Sequence, residues 1–139
     1  MEENEKTVKK VGIVSCSGED LPEGTMSRLA TLEVLHHKKP FDTTTICLPL
    51  FIAGGEGDRM FAKNHPTITV DGCEKLCAKK ATEKYSGKVT CSINVRDFIK
   101  DTDKVKNKSN LNDNEKKIVS EVADAISSKV DEILKENNK

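Results

Sequence analysis

The chain has 139 residues, with 23 Lys and Arg offset by 23 Asp and Glu, 35% hydrophobic residues, four Phe, one Tyr and no Trp. That length suits one ordinary domain, and zero net charge removes the basic surface that non-specific nucleic-acid binding needs to displace counterions. So few aromatics also exclude a base-stacking platform or a large aromatic-lined pocket.

Residues 1–7 read as a disordered, acidic tail without the apolar core of a secretory leader. A single α/β domain is expected over residues 8–136, and a cytoplasmic location with it. Val11-Gly12-Ile13-Val14 is a buried-strand run within Val8 to Ser15. Cys16 to Gly24 reads as loop. Helical spacing then runs from about Thr25 to Lys38, with Met26, Leu29, Ala30, Leu32, Val34 and Leu35 on one face, until Pro40 stops it.

The β-branched Thr43-Thr44-Thr45-Ile46 opens a second strand, about Thr43 to Leu48. Pro49 to Gly57 reads as a glycine-rich turn, and Asp58 as the N-cap of a short helix over Arg59 to Asn64. The apolar stretch Leu48 to Ala53 is far below the roughly 20 residues that cross a bilayer, so no membrane association is expected. A third strand covers Thr67 to Val70. Asp71-Gly72 turns it into a helix over about Cys73 to Tyr85, closed at Ser86-Gly87 in the left-handed manner.

A fourth strand spans about Lys88 to Val95. Residues 101–111 read as a charged, solvated loop in which lysines alternate with Asp101 and Asp103. Residues 112–136 form an amphipathic helix: Asn112 to Glu115 has capping-box spacing, and Ile118, Val122, Ile126, Val130 and Ile133 make its apolar stripe. Strands alternating with helices predict a three-layer α/β fold with a mainly parallel four-stranded sheet, strand order 2-1-3-4, and helices on both faces.

That topology collects the cysteines. Cys16, Cys47 and Cys73 fall just past the carboxyl ends of strands one to three, and Cys77 lies four residues beyond Cys73. Open α/β sheets build their sites at that edge. Strands about 4.8 Å apart are compatible with sulfurs about 3.8 Å apart around tetrahedral zinc. On the expected helix, Cys73 and Cys77 share a face near its positive end, which favours thiolate. Zinc, an iron–sulfur cluster, thiol redox chemistry and plain burial all fit four such thiols. Cys91, in mid-strand, suits burial.

Val70-Asp71-Gly72-Cys73-Glu74-Lys75-Leu76-Cys77-Ala78 resembles the signature of the DGC-domain family of small zinc-binding proteins. Cys16-Ser17-Gly18, and Cys47-Leu48-Pro49 followed by Gly54-Gly55, resemble two further segments of that family. The resemblance implies a zinc site at Cys16, Cys47, Cys73 and Cys77, with Asp71, Gly72, Gly54 and Gly55 behind it. Glu19 and Ala81 stand where many members carry further cysteines, which argues against a larger or multinuclear site.

A closed set of four thiolates leaves no open position for activating water. The expected function is therefore metal handling (storage, sensing or transfer), with no catalytic residue assigned and the metal ion as partner. The alternative is a thiol–disulfide protein using Cys73 and Cys77, with Cys16 as resolving partner. Gly54-Gly55-Glu56-Gly57-Asp58 lacks the phosphate-loop pattern and carries two repelling carboxylates. No cysteine is followed six residues on by arginine, and there is no C-x-x-C pair. His36 and His37 suit a solvated helix end, and His65 either punctuates a turn or reaches the site as a fifth ligand. Asp71 suits a helix cap, or a group supporting the metal ligands.

Overall fold

The computed structural model describes residues 10–18, 21–100, 105–106 and 110–137. The expected tail over residues 1–7, Glu19 and much of the 101–111 loop lie outside the described residues. The elements are β1 (Val11–Ser15), α1 (Pro22–Glu33) continuing as a π-helical turn (Val34–Lys38), β2 (Thr43–Thr45), α2 (Leu48–Ile52), α3 (Glu56–Asn64), β3 (Thr67–Asp71), α4 (Cys77–Tyr85), β4 (Cys91–Asn94), a 3-10 turn (Val95–Phe98) and α5 (Asp113–Asn137).

The sheet is all parallel with order β2-β1-β3-β4, as expected. Val11 pairs with Thr43, Gly12 with Thr67 and Ile68 with Cys91. Both central strands are buried on both faces, which is why their sequences read as nearly unbroken β-branched runs. On one face Val11, Ile13, Ile68, Val70 and Ile93 pack under α1 and α5. On the other, Val14 and Ile46 pack under α2, α3 and α4 through Phe51, Ala62 and Ala78. The predicted stripe of α5 is buried at all five positions. No helix among the described residues is long and apolar enough to cross a membrane.

Element ends differ from the expectations for identifiable reasons. α1 begins at Pro22, three residues early, because proline in the first turn sacrifices no hydrogen bond. Its last turn widens: Lys39 N–H donates to Val34 O at 2.8 Å, and Lys38 and Lys39 then pair with Asp124 and Asp131 of α5 at 2.8 and 2.7 Å. The segment from Pro49 is not all turn, since Leu48 to Ile52 is helical with Pro49 in its first turn. α3 starts at Glu56, capped by Gly55 and not by Asp58. Gly87 does not take the expected left-handed conformation; Ser86 and Gly87 N–H both donate to Thr82 O instead.

β4 is shorter than expected and Cys91 is its first residue, half-buried against the α5 side of the core. The capping box is present: Asn112 Oδ1 accepts Glu115 N–H at 2.8 Å, and Glu115 Oε1 accepts Asn112 N–H at 2.9 Å. The described part of the 101–111 loop is not simply solvated. Glu115, fully buried, also accepts Lys106 N–H at 2.9 Å, and Val105 and Leu111 pack against the core.

Candidate metal centre

Strand pairing brings the segments that carry Cys16 and Cys73 together. Ser15 is level with Val70, and Cys16 N–H donates to Val70 O at 2.9 Å, so the chain leaving β1 is fastened beside the chain leaving β3. Cys16, Cys73 and Cys77 line one cavity of about 110 Å³ together with Gly18, Leu21, Gly24, Asp71 and Gly72. It lies between β1 and β3, where the strand order reverses.

Two glycines permit that closeness. A Cβ on Gly72 would sit 2.7 Å from the Glu23 carbonyl carbon, and one on Gly24 would overlap the Gly18 carbonyl. Two loop backbones, at Gly18 and Gly72, therefore meet the first turn of α1 with no side chain between them.

Cys73 and Cys77 do not share a helix face. Leu76 takes a left-handed conformation (φ 53°), which an α-helix of L-residues cannot run through, so α4 starts at Cys77 and Cys73 lies in the preceding turn. The helix start is set from upstream: Asp71 Oδ1 accepts Ala78 N–H at 2.8 Å and Oδ2 accepts Lys79 N–H at 3.2 Å. Asp71 is thus the cap of α4, at 1% exposure. Burial raises its carboxyl pKa above the ordinary value, against the opposing pull of those two N–H groups and Lys79.

The turn carrying Cys73 is held from both ends. Asn94 Nδ2 donates to Cys73 O at 3.1 Å. Arg96 bonds Glu74 at 2.6 Å and reaches Glu23 at 3.6 Å. The Glu74 carboxyl lies below its ordinary pKa because its own backbone N–H bonds it, with Arg96 adding to the effect.

Ser27 holds Cys16. Its hydroxyl donates to Gly24 O at 2.7 Å, which leaves its oxygen to accept from the Cys16 thiol at 3.3 Å. Ser27, Asn94 and Arg96 are not metal-ligand residue types, and their one trace in the sequence is Ser27 standing one helical turn after Gly24.

Cys47 stands apart. It is exposed beyond β2, its N–H donates to Asp58 Oδ2 at 2.9 Å, and it lines a different cavity, on the other side of the Ser15–Ser17 segment. Gly54, with φ 101°, and Gly55, packed on Leu50, make the α2–α3 turn and line neither cavity. His65 precedes β3, at the opposite end of the sheet, stacked on Phe61 at 4.2 Å between centroids, so it is no fifth ligand. His37 bonds Glu33 at 2.7 Å on the solvent side of α1. Burial raises the Cys91 thiol pKa, the expected mark of a packed side chain.

Three thiols on one small cavity match a soft cation such as zinc in donor type. Asp71 is already engaged by the α4 backbone. Among the described residues, no three His, Cys, Asp or Glu side chains stand in metal-holding arrangement. A tetrahedron is therefore not preformed, and a fourth thiol from Cys47 would have to cross the Ser15–Ser17 segment.

The model of the DGC domain family matches residues 12–126, most of the chain and all five cysteines. No curated protein and no solved structure matches it.

Proposed function

Starting from the DGC domain family, to which this chain belongs, we propose that it is a zinc-binding protein that handles the ion through thiolates at the carboxyl rim of its sheet. Cys16, Cys73 and Cys77 supply three donors and Cys47 the fourth, with Asp71 and Gly72 supporting them. The observation that carries this reading is the lining of one cavity by three thiols from two separate segments, Cys16 after β1 and the Cys73–Cys77 stretch after β3. Four thiolates fill zinc's coordination shell, which suits storage, sensing or transfer and leaves no site for hydrolysis. Because the sheet and both its packed layers form without reference to the rim, loss of metal should leave the fold standing.

Metal analysis of the full chain purified without added zinc tests it. About one zinc per chain is expected from a single closed site, falling to near none in Cys73→Ser with the far-ultraviolet spectrum unchanged.

One observation favours a second reading: the thiols line a cavity without being gathered into a metal-holding set. In that reading Cys73 thiolate attacks an external disulfide and releases one thiol, and Cys77 thiolate displaces the other. This leaves a Cys73–Cys77 disulfide and passes two electrons to the external disulfide. Metal-free protein with a reversible Cys73–Cys77 disulfide would replace the zinc reading with this one.

A further inference from the structure

The second cavity at the rim has a different chemistry. About 180 Å³ in volume, it lies beyond β1 and β2 and is lined by the hydroxyl-bearing residues Ser15, Ser17, Thr31 and Thr45, by Arg28 and by Cys47, with Ile46 and Leu48 among its apolar residues. Arg28 carries the only full charge among the described residues lining it. Thr31 is 3% exposed, yet its Oγ1 has no hydrogen-bond partner among the described residues. A buried hydroxyl without a partner costs free energy, and few survive in folded proteins without a reason.

Two more groups are poised. Ser15 and Ser17 hydroxyls share one hydrogen bond at 2.7 Å, so one donates and the other keeps its proton available. Ser17 holds that position with a left-handed backbone (φ 51°), a conformation that serine adopts at a cost.

We infer that this cavity binds a small tetrahedral oxyanion, phosphate in chemical class, free or as the terminal group of a larger molecule. Arg28 supplies the countercharge at the exposed mouth, while the hydroxyls of Thr31, Thr45 and one of the Ser15–Ser17 pair donate to the oxygens. Among the described residues no carboxylate lines the cavity, and the Asp58 carboxylate beside it is engaged by the Cys47 N–H. The inference does not rest on zinc binding.

Titration of the full, chelator-treated chain with inorganic phosphate, followed by amide chemical shifts, tests it. Saturable shifts confined to Ser15–Ser17, Thr31 and Thr45–Cys47 are expected. Arg28→Gln, at an exposed position, should weaken binding about tenfold or more, as loss of a charge-assisted hydrogen bond does. Thr31→Val should weaken binding while raising the unfolding temperature of the phosphate-free chain. Phenyl phosphate separates the two sources: tighter binding than inorganic phosphate assigns the site to a phosphoryl group on a larger molecule, weaker binding to the free ion, and either ordering supports the site. No shift at Thr31 at millimolar phosphate, or equal affinity in Arg28→Gln, would overturn it.

Discussion

The two cavities at the rim flank one short stretch of chain, and consecutive residues of that stretch serve different ones. Cys16 lines the thiol cavity, while Ser15 and Ser17 line the hydroxyl cavity. Alternation along a strand sends Ser15 and Cys16 to opposite sides, and the left-handed Ser17 returns to hydrogen-bond Ser15. The thiol cavity has a carboxylate engaged by backbone N–H groups and an apolar lining; the hydroxyl cavity has a cationic mouth and an unpartnered donor. The short Ser15–Ser17 segment thus separates a thiol-lined cavity from one lined by an arginine and hydroxyl-bearing residues.

The sharpest way to break that separation is to exchange the segment's side chains one at a time. Cys16→Ser should lower zinc affinity at least about 100-fold, more than loss of an outer-shell partner costs, while phosphate shifts at Thr31 persist. If Cys16→Ser abolished both, the two cavities would be one site.

Next in size is the support of the thiol side. Asp71→Ala leaves two N–H groups at the start of α4 without their acceptor, and should cost about 1–3 kcal/mol in denaturant unfolding. An unchanged midpoint would remove Asp71 from its capping role.

A smaller effect follows from its raised pKa. Because the folded chain holds this proton more tightly than the unfolded chain, Asp71 contributes most to stability at low pH, and that contribution falls as pH rises above the ordinary carboxyl value near 3.8. Asp71→Asn, titrated beside the parent chain, should lack that pH-dependent component, so the stability difference between the two chains should change across that window. The smallest change is expected from Arg96→Ala. Its solvent-accessible ion pairs with Glu74 and Glu23 add little to stability, but release of the Cys73 turn should weaken zinc binding about tenfold, as loss of a group that orients a ligand does.

How far all this was legible in the sequence differs between fold and site. Strand order and layering follow from periodicity: Val11–Val14 and Thr67–Val70 are apolar or β-branched because both faces are covered, and the α5 stripe repeats at three and four residues because one face is. Helix starts were less legible where the cap lies far off in sequence. Asp71 reads as a helix cap and is one, but nothing local announces that its helix opens six residues later, or that Asp58 serves the Cys47 N–H and not its own helix. At the site, topology placed Cys16, Cys47, Cys73 and Cys77 at one edge, and they are there. Which of them share a cavity depends on torsion angles at Ser17 and Leu76 that residue type does not reveal. His65 illustrates the same limit from the other side, since proximity along the chain to β3 put it at the wrong end of that strand.

The left-handed residue at Leu76 also governs how far apart two sulfur atoms can be. Had α4 run back through Cys73, helical pitch would have locked the spacing between the two thiols into a rigid rod. The break at Leu76 hands that spacing to the three residues Glu74–Leu76, so the distance between the two sulfurs follows from a turn's torsion angles and from what anchors that turn, and not from helical pitch.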